Sequence, residues 1–249
     1  MARKFHVVVS PVREVSLVGT ANLGYWRDKL ARHNLHPSEA DRRATMMLSA
    51  CEARFKGIRF RELSVSVFVA REPGSPSRDG VLLLRAFNSI RFFAWIERTF
   101  FVTPYYFQQI ALSPSVPAFL RLGDAQQPVI EAAMGDRPAS EPQKLNAATL
   151  GDWQGPIFLP NLRDASNPAS RLFFASLTGE CQALAFDAAR DRFCLGPPAS
   201  DPIVPLLTAA EFEPREWILR TAATHGKSKT IRRTAGHEFD GFADGRMLA

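Results

Sequence analysis

Phe60-Arg61-Glu62-Leu63-Ser64-Val65-Ser66-Val67-Phe68-Val69-Ala70 alternates without a break. Leu63, Val65, Val67 and Val69 fall on one side, and Glu62, Ser64, Ser66 and Phe68 on the other. A period of two marks a β-strand with two unlike faces. Just upstream, Ala44 to Phe55 alternates in the same way through Ala44, Met46, Leu48 and Ala50. Downstream, Arg71 to Asp79 holds Pro73, Gly74, Pro76 and two serines, the composition of a loop. Val81 to Phe87 reads as the next strand. Further upstream, Asn22 to His33 predicts a short helix, with Leu23, Trp26 and Leu30 at helical spacing.

After these strands the pattern changes. Asn88 or Ser89 can cap a helix that runs to about Phe101 and is ended by Pro104, since the residue before a proline avoids the helical region. Beyond it come short apolar runs cut by proline or glycine: Ala118 to Leu122, Val129 to Met134, Ile157 to Leu159, Leu172 to Leu177 and Gln182 to Phe186. These resemble hairpin strands. Arg137 to Gln154 reads as a loop. Pro214 to Ala223 fits either a strand or a helix begun by its proline. The expectation is a mainly β (α+β) chain, an antiparallel barrel or sandwich with a few helices. It forms one domain over residues 1–233, with a loose tail over 234–249.

Composition narrows the function classes. The chain has 249 residues, 46% hydrophobic and 22% charged, ordinary values that exclude collagen-like, coiled-coil and wholly disordered chains. The net charge of +6 comes mostly from arginines spread along the chain, for only six of the 31 basic residues are lysines. A nucleic-acid binder gathers its charge on one face or tail, so no nucleic-acid partner is expected. The densest basic stretch, Lys227, Lys229, Arg232 and Arg233, reads as a phosphate-binding patch or a solvated strand or tail. Cys51, Cys181 and Cys194 are odd in number and lack metal-type spacing, which fits a reducing compartment. Val7-Val8-Val9 is stopped by Pro11, and no run of about 18 apolar residues exists. A cytoplasmic protein without a membrane partner is expected. His33 and His36, three apart, read as a surface pair at a helix end, so no metal is expected. There is no P-loop, no dinucleotide glycine fingerprint and no Gly-x-Ser-x-Gly elbow, and hence no cofactor is expected. The oligomeric state stays open, a homo-oligomer included.

Phe87 to Phe107 is dense in aromatic residues, and two of the three tyrosines of the chain, Tyr105 and Tyr106, follow Pro104 directly. Two motifs here carry a resemblance. One is Gly57-Ile58-Arg59-Phe60-Arg61-Glu62-Leu63. The other is Trp95-Ile96-Glu97-Arg98-Thr99-Phe100-Phe101-Val102-Thr103-Pro104-Tyr105-Tyr106. Together they resemble the acetoacetate decarboxylase-like superfamily. There, a strand begins with aromatic-x-Glu, a helix carries Gly-Arg-Glu, and a Pro-Lys-Lys corner holds the Schiff-base lysine. Here Pro104 keeps its spacing of six from Arg98, Glu97 takes the glycine position, and Tyr105 and Tyr106 take the two lysine positions. The chain is similar in this to the branch of the superfamily that lacks the lysine pair. The resemblance covers residues 44–112 well and the remainder loosely. It implies an antiparallel β-barrel or cone with a largely apolar interior.

The resemblance also implies that an imine cannot form at the corner, because tyrosine stands at both positions. Other groups must then carry any chemistry. Glu62 can act as general acid or base in an apolar surround, or can form a salt bridge to Arg98 that ties helix to barrel. Arg98 can clamp a carboxylate or carbonyl oxygen, and Tyr105 and Tyr106 can donate to a developing enolate. His225 and Lys227 form either a second polar cluster, with His225 as acid/base and Lys227 as electrostatic group or amine, or an exposed hairpin. The expected function is a cofactor-independent enzyme acting on a small or medium carbonyl compound at an enolisable centre. This covers lyase, dehydratase, aldol-type and cyclisation chemistry. The alternative is a non-catalytic carrier of an apolar small molecule. Several titratable groups on the cavity floor would favour the enzyme.

Overall fold

The computed structural model describes residues 4–137, 152–160 and 171–230. The order of elements is β1 (Lys4–Asn22), α1 (Leu23–Ala31), β2 (His36–Pro37), β3 (Glu39–Ala40), β4 (Arg43–Phe55), β5 (Ile58–Ala70) and β6 (Gly80–Asn88). There follow α2 (Arg91–Phe100), β7 (Tyr105–Phe107), β8 (Ile110–Ser113), β9 (Phe119–Gly123) and β10 (Pro128–Ala133). The chain goes on through β11 (Trp153–Leu159), β12 (Arg171–Thr178), β13 (Gln182–Ala185), β14 (Arg192–Leu195), α3 (Ile203–Ala209) and β15 (Glu213–Thr230). The fold is mainly β, as expected. Strands β5, β4, β1, β15, β12, β11 and β6 pair in that order, and β6 returns to β5, closing a barrel of seven strands. Closure leaves these strands no open edge. Most pairs are antiparallel; β6 runs parallel to β11 and to β7. Strands β14, β10, β9 and β8 form a second sheet.

The main apolar core lies outside the barrel. Leu17, Leu48, Leu63, Val65, Val67, Trp217 and Leu219 point outward from the barrel strands. They pack against Leu120, Leu122 and Ile130 of the second sheet, Trp26 and Leu30 of α1, and Ile203 and Leu207 of α3. Trp217 adds a directed tie, its indole N–H donating to Asp191 Oδ2 at 2.9 Å. Because successive strand residues face opposite ways, the remaining set must face the lumen. On β1, β4 and β5 that set includes Val12, Glu14, Ser16, Met47, Ser49, Cys51, Ala53, Phe60, Glu62, Ser64, Ser66 and Phe68. The largely apolar barrel interior that the resemblance implied is found on either side of a polar row: Val7, Val9, Val12 and Phe60 line one side, and Phe68, Leu83 and Ile157 the other. The apolar half of the alternation is spent on the outer face, which has a sheet and two helices to cover.

Register turns this alternation into layers. Glu14, Cys51 and Glu62 are neighbours across β1, β4 and β5, and Ser16, Ser49 and Ser64 form the next row inward. On the other side of the charged row sit Val12, Ala53 and Ala223, with Phe60 packed against them.

Several boundaries differ from expectation. Helix α2 is not capped by Asn88 or Ser89. Asn88 ends β6 and accepts from the Ile90 N–H, while Ser89 Oγ accepts from the Arg61 N–H. His33 is buried, not at the surface. The ambiguous stretch Pro214 to Ala223 is strand, the first half of β15. The 19-residue β1 and helix α3 had no counterpart in the sequence reading. The loop expected over Arg137 to Gln154 falls mostly outside the described residues, although Trp153 and Gln154 begin β11. Arg232, Arg233 and the tail over 234–249 also lie outside them. Among the described residues, no helix is long and apolar enough to cross a membrane.

The two faces predict unequal costs for adjacent residues. Leu48 is fully buried between Leu17 and Val65. Leu48→Ala should cost about 2–5 kcal/mol. Ser49→Ala, one residue on and facing the lumen, should cost about 1 kcal/mol or less. Urea midpoints at unchanged m-value measure both. Equal costs would mean that the core is not on the outer face.

Candidate functional site

Three residues far apart in the chain meet inside the barrel. Glu62 comes from the start of β5, Tyr105 from β7 and Lys227 from β15. The Tyr105 hydroxyl donates to Glu62 Oε1 at 2.5 Å. Lys227 Nζ lies 3.0 Å from the same oxygen and 3.2 Å from the Tyr105 oxygen. Both donors converge on Oε1. Glu62 Oε2 accepts no hydrogen bond among the described residues.

The corner that delivers Tyr105 is built by the end of α2. Val102 takes a positive φ of 50°, turning the chain sharply. Thr103, fully buried, closes the turn through its N–H to the Glu97 carbonyl oxygen. Its Oγ1 lies 2.8 Å from that oxygen and 3.0 Å from Glu97 Oε2. Pro104 then pairs through its carbonyl oxygen with the Ala86 N–H, which starts β7 alongside β6.

A second cluster adjoins the first. Glu14 of β1 is 2% exposed, and its carboxylate accepts from Ser16 Oγ at 2.7 Å and from Arg220 at 3.3 Å. Its other oxygen lies 2.8 Å from His225 Nε2. Cys51, between Glu14 and Glu62 in the register, is a free thiol.

Electrostatics fixes the charge states. Burial by itself would raise the Glu62 carboxyl, but the Lys227 ammonium and the hydrogen bonds from Tyr105 and Lys227 outweigh it and hold it below the usual carboxylate value. Burial would also raise Glu14. The hydrogen bond and charge of His225, with the charge of Arg220, pull it down to about 2. Burial would lower Lys227, yet the facing Glu62 carboxylate pushes it well above the ordinary lysine value. Burial and the same carboxylate raise Tyr105 well above the ordinary phenol value. Burial, then Glu62 and Glu14, push the Cys51 thiol well up, which removes it as a thiolate nucleophile. At neutral pH the site therefore holds two carboxylates, an ammonium, a guanidinium, a neutral phenol and a neutral thiol.

The charged row divides the lumen into two chambers. The outer one has a volume of about 340 Å³, and its walls are Val7, Val9, Val12, Phe60, Phe93 and Ile96, among others. The inner one has a volume of about 120 Å³, with Ser49, Ser64, Ser66 and Arg220 in its wall. Cys51, Glu62, His225 and Lys227 border both. Titratable groups thus stand at the neck between an apolar space and one in which serine hydroxyls are set among apolar walls that include Met47, Phe68, Leu83 and Ile157.

Of the six residues singled out from sequence, Glu62, Tyr105, Lys227 and His225 are brought together. Arg98 and Tyr106 are not. The Arg98 guanidinium lies over the Tyr106 ring at 4.7 Å, and Tyr106 packs against the outer core beside Phe87. Consecutive residues of a strand face opposite sides, so only one tyrosine of the corner can enter the lumen. Glu62 makes its ion pair with Lys227, not with Arg98. His225 and Lys227 sit in a barrel strand and not in an exposed hairpin. Glu14, Arg220 and Cys51 were missed. The only signal for Glu14 was an acid set among Val12, Val15 and Leu17. Glu97, where the resembling motif has glycine, lines the outer chamber. Among the described residues no three His, Cys, Asp or Glu side chains are grouped as metal ligands.

The sequence matches no protein-family model and none of the curated proteins. Solved structures do match. An acetoacetate decarboxylase from Legionella pneumophila superposes with a TM-score of 0.57 at 13% identity, covering 92% of this chain and 88% of that one. An acetoacetate decarboxylase-like enzyme from Sphingomonas wittichii gives 0.54 at 11% identity, covering 91% and 93%. The enduracididine biosynthesis enzyme MppR, complexed with the condensation product of pyruvate and imidazole 4-carboxaldehyde, gives 0.52 at 14% identity, covering 89% and 86%. At such identities the likeness speaks for the fold, and the fold of this chain is that of the acetoacetate decarboxylase-like superfamily.

Proposed function

We propose that the protein is an enzyme that moves a proton at the carbon next to a carbonyl group. The observation that carries this is the Glu62 carboxylate, with Oε2 free beside an apolar chamber and Oε1 held between an ammonium and a phenol. A substrate carbonyl oxygen takes the remaining N–H of Lys227, which has three donors. Glu62 Oε2 removes the α-proton. As Glu62 becomes neutral, its claim on the Tyr105 hydroxyl weakens, and the phenol turns to the enolate oxygen. The hydrogen bonds to that oxygen thus strengthen as charge develops on it, which is the condition for lowering the barrel's reaction barrier. His225, oriented by Glu14, stands at the neck to return a proton. The enolate is common to lyase, dehydratase, aldol-type and cyclisation outcomes. The solved structures of similar fold, named for acetoacetate and for a pyruvate condensation product, also concern carbonyl compounds. A carrier would need only an apolar chamber, and the convergence of Glu62, Lys227 and His225 on its floor, with Tyr105 behind them in the inner chamber, favours the enzyme.

A second reading has one observation in its favour. Lys227 Nζ stands 3.2 Å from the phenol at the corner where the resembling family carries lysine. An amine can thus reach the corner from β15 and condense with a ketone, with loss of water. The raised pKa of Lys227 counts against it, because an ammonium is not a nucleophile.

Exchange of α-hydrogens of ketones for deuterium in D₂O, followed by NMR, tests the proposal. Glu62→Gln should slow exchange roughly 10²–10⁴-fold. Tyr105→Phe should slow it by up to roughly 10²–10³-fold. Ketones that bind without exchange would make the protein a carrier. Borohydride added during exchange should leave Lys227 unmodified by peptide mass mapping; a reduced adduct there would establish the imine reading.

The pH dependence separates the two readings as well. Glu62 must be ionised, and its pKa lies below 4.5, so the rate falls only on the acid side of that value. Lys227 must be protonated, and its pKa lies above 10.5, so no loss is expected before then. In a His225→Gln variant kcat/KM should be level between these limits. A rate that climbs through neutrality in that variant would mean that a free amine is required.

A further inference from the structure

We infer that the two chambers divide one substrate between them: an uncharged 1,3-dioxygenated carbonyl compound, with its apolar substituent in the outer chamber and its second oxygen in the inner one. The inference rests on the proton-transfer reading for the site at the neck and names the compound that the lumen fits. At about 30 Å³ for each water-sized group, the outer chamber takes roughly ten heavy atoms and the inner one about four. A reacting carbonyl at Lys227 therefore leaves room inward for one short oxygen-bearing arm. It leaves room outward for a chain or ring several carbons long.

The walls assign the two arms. Outward, Val7, Val9, Phe60, Phe93 and Ile96 offer apolar surface and no hydrogen bonds from their side chains. Inward the wall is also largely apolar, with Met47, Phe68, Leu83 and Ile157 in it, but three of its side chains, the Ser49, Ser64 and Ser66 hydroxyls, make no hydrogen bond among the described residues. Hydroxyls can donate as well as accept, so they suit a carbonyl or hydroxyl oxygen. A second oxygen on the next carbon but one also acidifies the carbon between the two, which is the carbon that Glu62 faces from the neck.

Charge balance decides between a neutral and an anionic arm. Glu14 is matched by Arg220 at 3.3 Å and Glu62 by Lys227 at 3.0 Å. These two carboxylates thus face two permanent cations, Glu97 adds a further carboxylate in the wall of the outer chamber, and His225 already points its Nε2 at Glu14. A carboxylate entering the inner chamber would lose its water and find each cation committed. A neutral arm brings no such cost.

Calorimetric titration of the intact protein with four compounds tests this. They are nonane-2,4-dione, 2-nonanone, pentane-2,4-dione and freshly prepared 3-oxononanoate. The dione with the tail should bind at least tenfold more tightly than each of the others. Equal binding of 2-nonanone would mean that the inner chamber takes no oxygen. Equal binding of pentane-2,4-dione would mean that the outer chamber takes no tail. Equal or tighter binding of 3-oxononanoate would overturn the neutral arm. Ser64→Leu, which fills the inner chamber, should weaken the dione tenfold and leave 2-nonanone unchanged. Ser64→Ala, which removes only the hydroxyl and keeps the fold, should weaken the dione alone, by a smaller factor; no change would overturn the inner contact. Binding in this order without deuterium exchange refutes proton transfer and leaves the ligand class standing. Exchange without this order refutes the ligand class alone.

Discussion

A carboxylate inside a barrel must find its counter-charge inside the same barrel. Two carboxylates of the barrel strands face this lumen, Glu14 from β1 and Glu62 from β5, and each would be costly to bury alone. All three side chains that answer them, Arg220, His225 and Lys227, come from one strand, β15. The length and irregularity of β15 follow from that demand. Arg220 and His225 are five residues apart, an odd number, and a regular strand would send them to opposite faces. The pairing of β1 with β15 shifts by one residue between Val12/Ala223 and Glu14/Arg220. That bulge turns both side chains into the lumen. A compensating shift between Val9 and Val12 on β1 keeps Val7 and Val9 on the cavity wall.

The same bulges explain what could be read from the sequence and what could not. Strand β5 carries an undisturbed alternation from Glu62 through Phe68, so its direction and faces were plain. In β15 the extra residue near Thr221 breaks the period of two, and Pro214 to Ala223 looked equally like a helix. In β1 the irregularity falls at Ser10 and Pro11, and the apolar run Val7 to Val9 appeared to end there. The strands that carry Glu14 and its partners Arg220 and His225 were thus the two without a clean signature. Glu14 and Arg220 were lost with them.

The errors within the site have equally local causes. Tyr105 and Tyr106 were taken together, although adjacent strand residues cannot share a face. Arg98 belongs to a helix whose cavity side is set by Phe93, Ile96, Glu97 and Phe101. Those positions mark one stripe, and Arg98 is one residue, about a quarter-turn, beyond Glu97. It finds the Tyr106 ring instead. The resemblance implies a largely apolar interior, which most of the lining has, yet the alternating set Leu63, Val65, Val67 lies on the outer face. A second sheet and two helices claim that set, and which face they cover depends on contacts between residues far apart in sequence.

The neighbour that stands beside a buried lysine decides what the lysine can do. A nearby cation, like burial, disfavours the ammonium and yields an amine that attacks carbonyls. A carboxylate in contact favours the ammonium and yields a fixed positive charge. At the corner where the resembling family places two lysines, this chain has a phenol, and the amine group arrives from β15 to lie between that phenol and Glu62. The Glu62 carboxylate in contact pushes Lys227 well above the ordinary lysine value, and its ammonium lies beside the corner at the floor of the apolar chamber. One fold can therefore bind a carbonyl oxygen at the same point and treat it in two ways. An amine would join it covalently, and an ammonium would hold it by charge and hydrogen bonds alone.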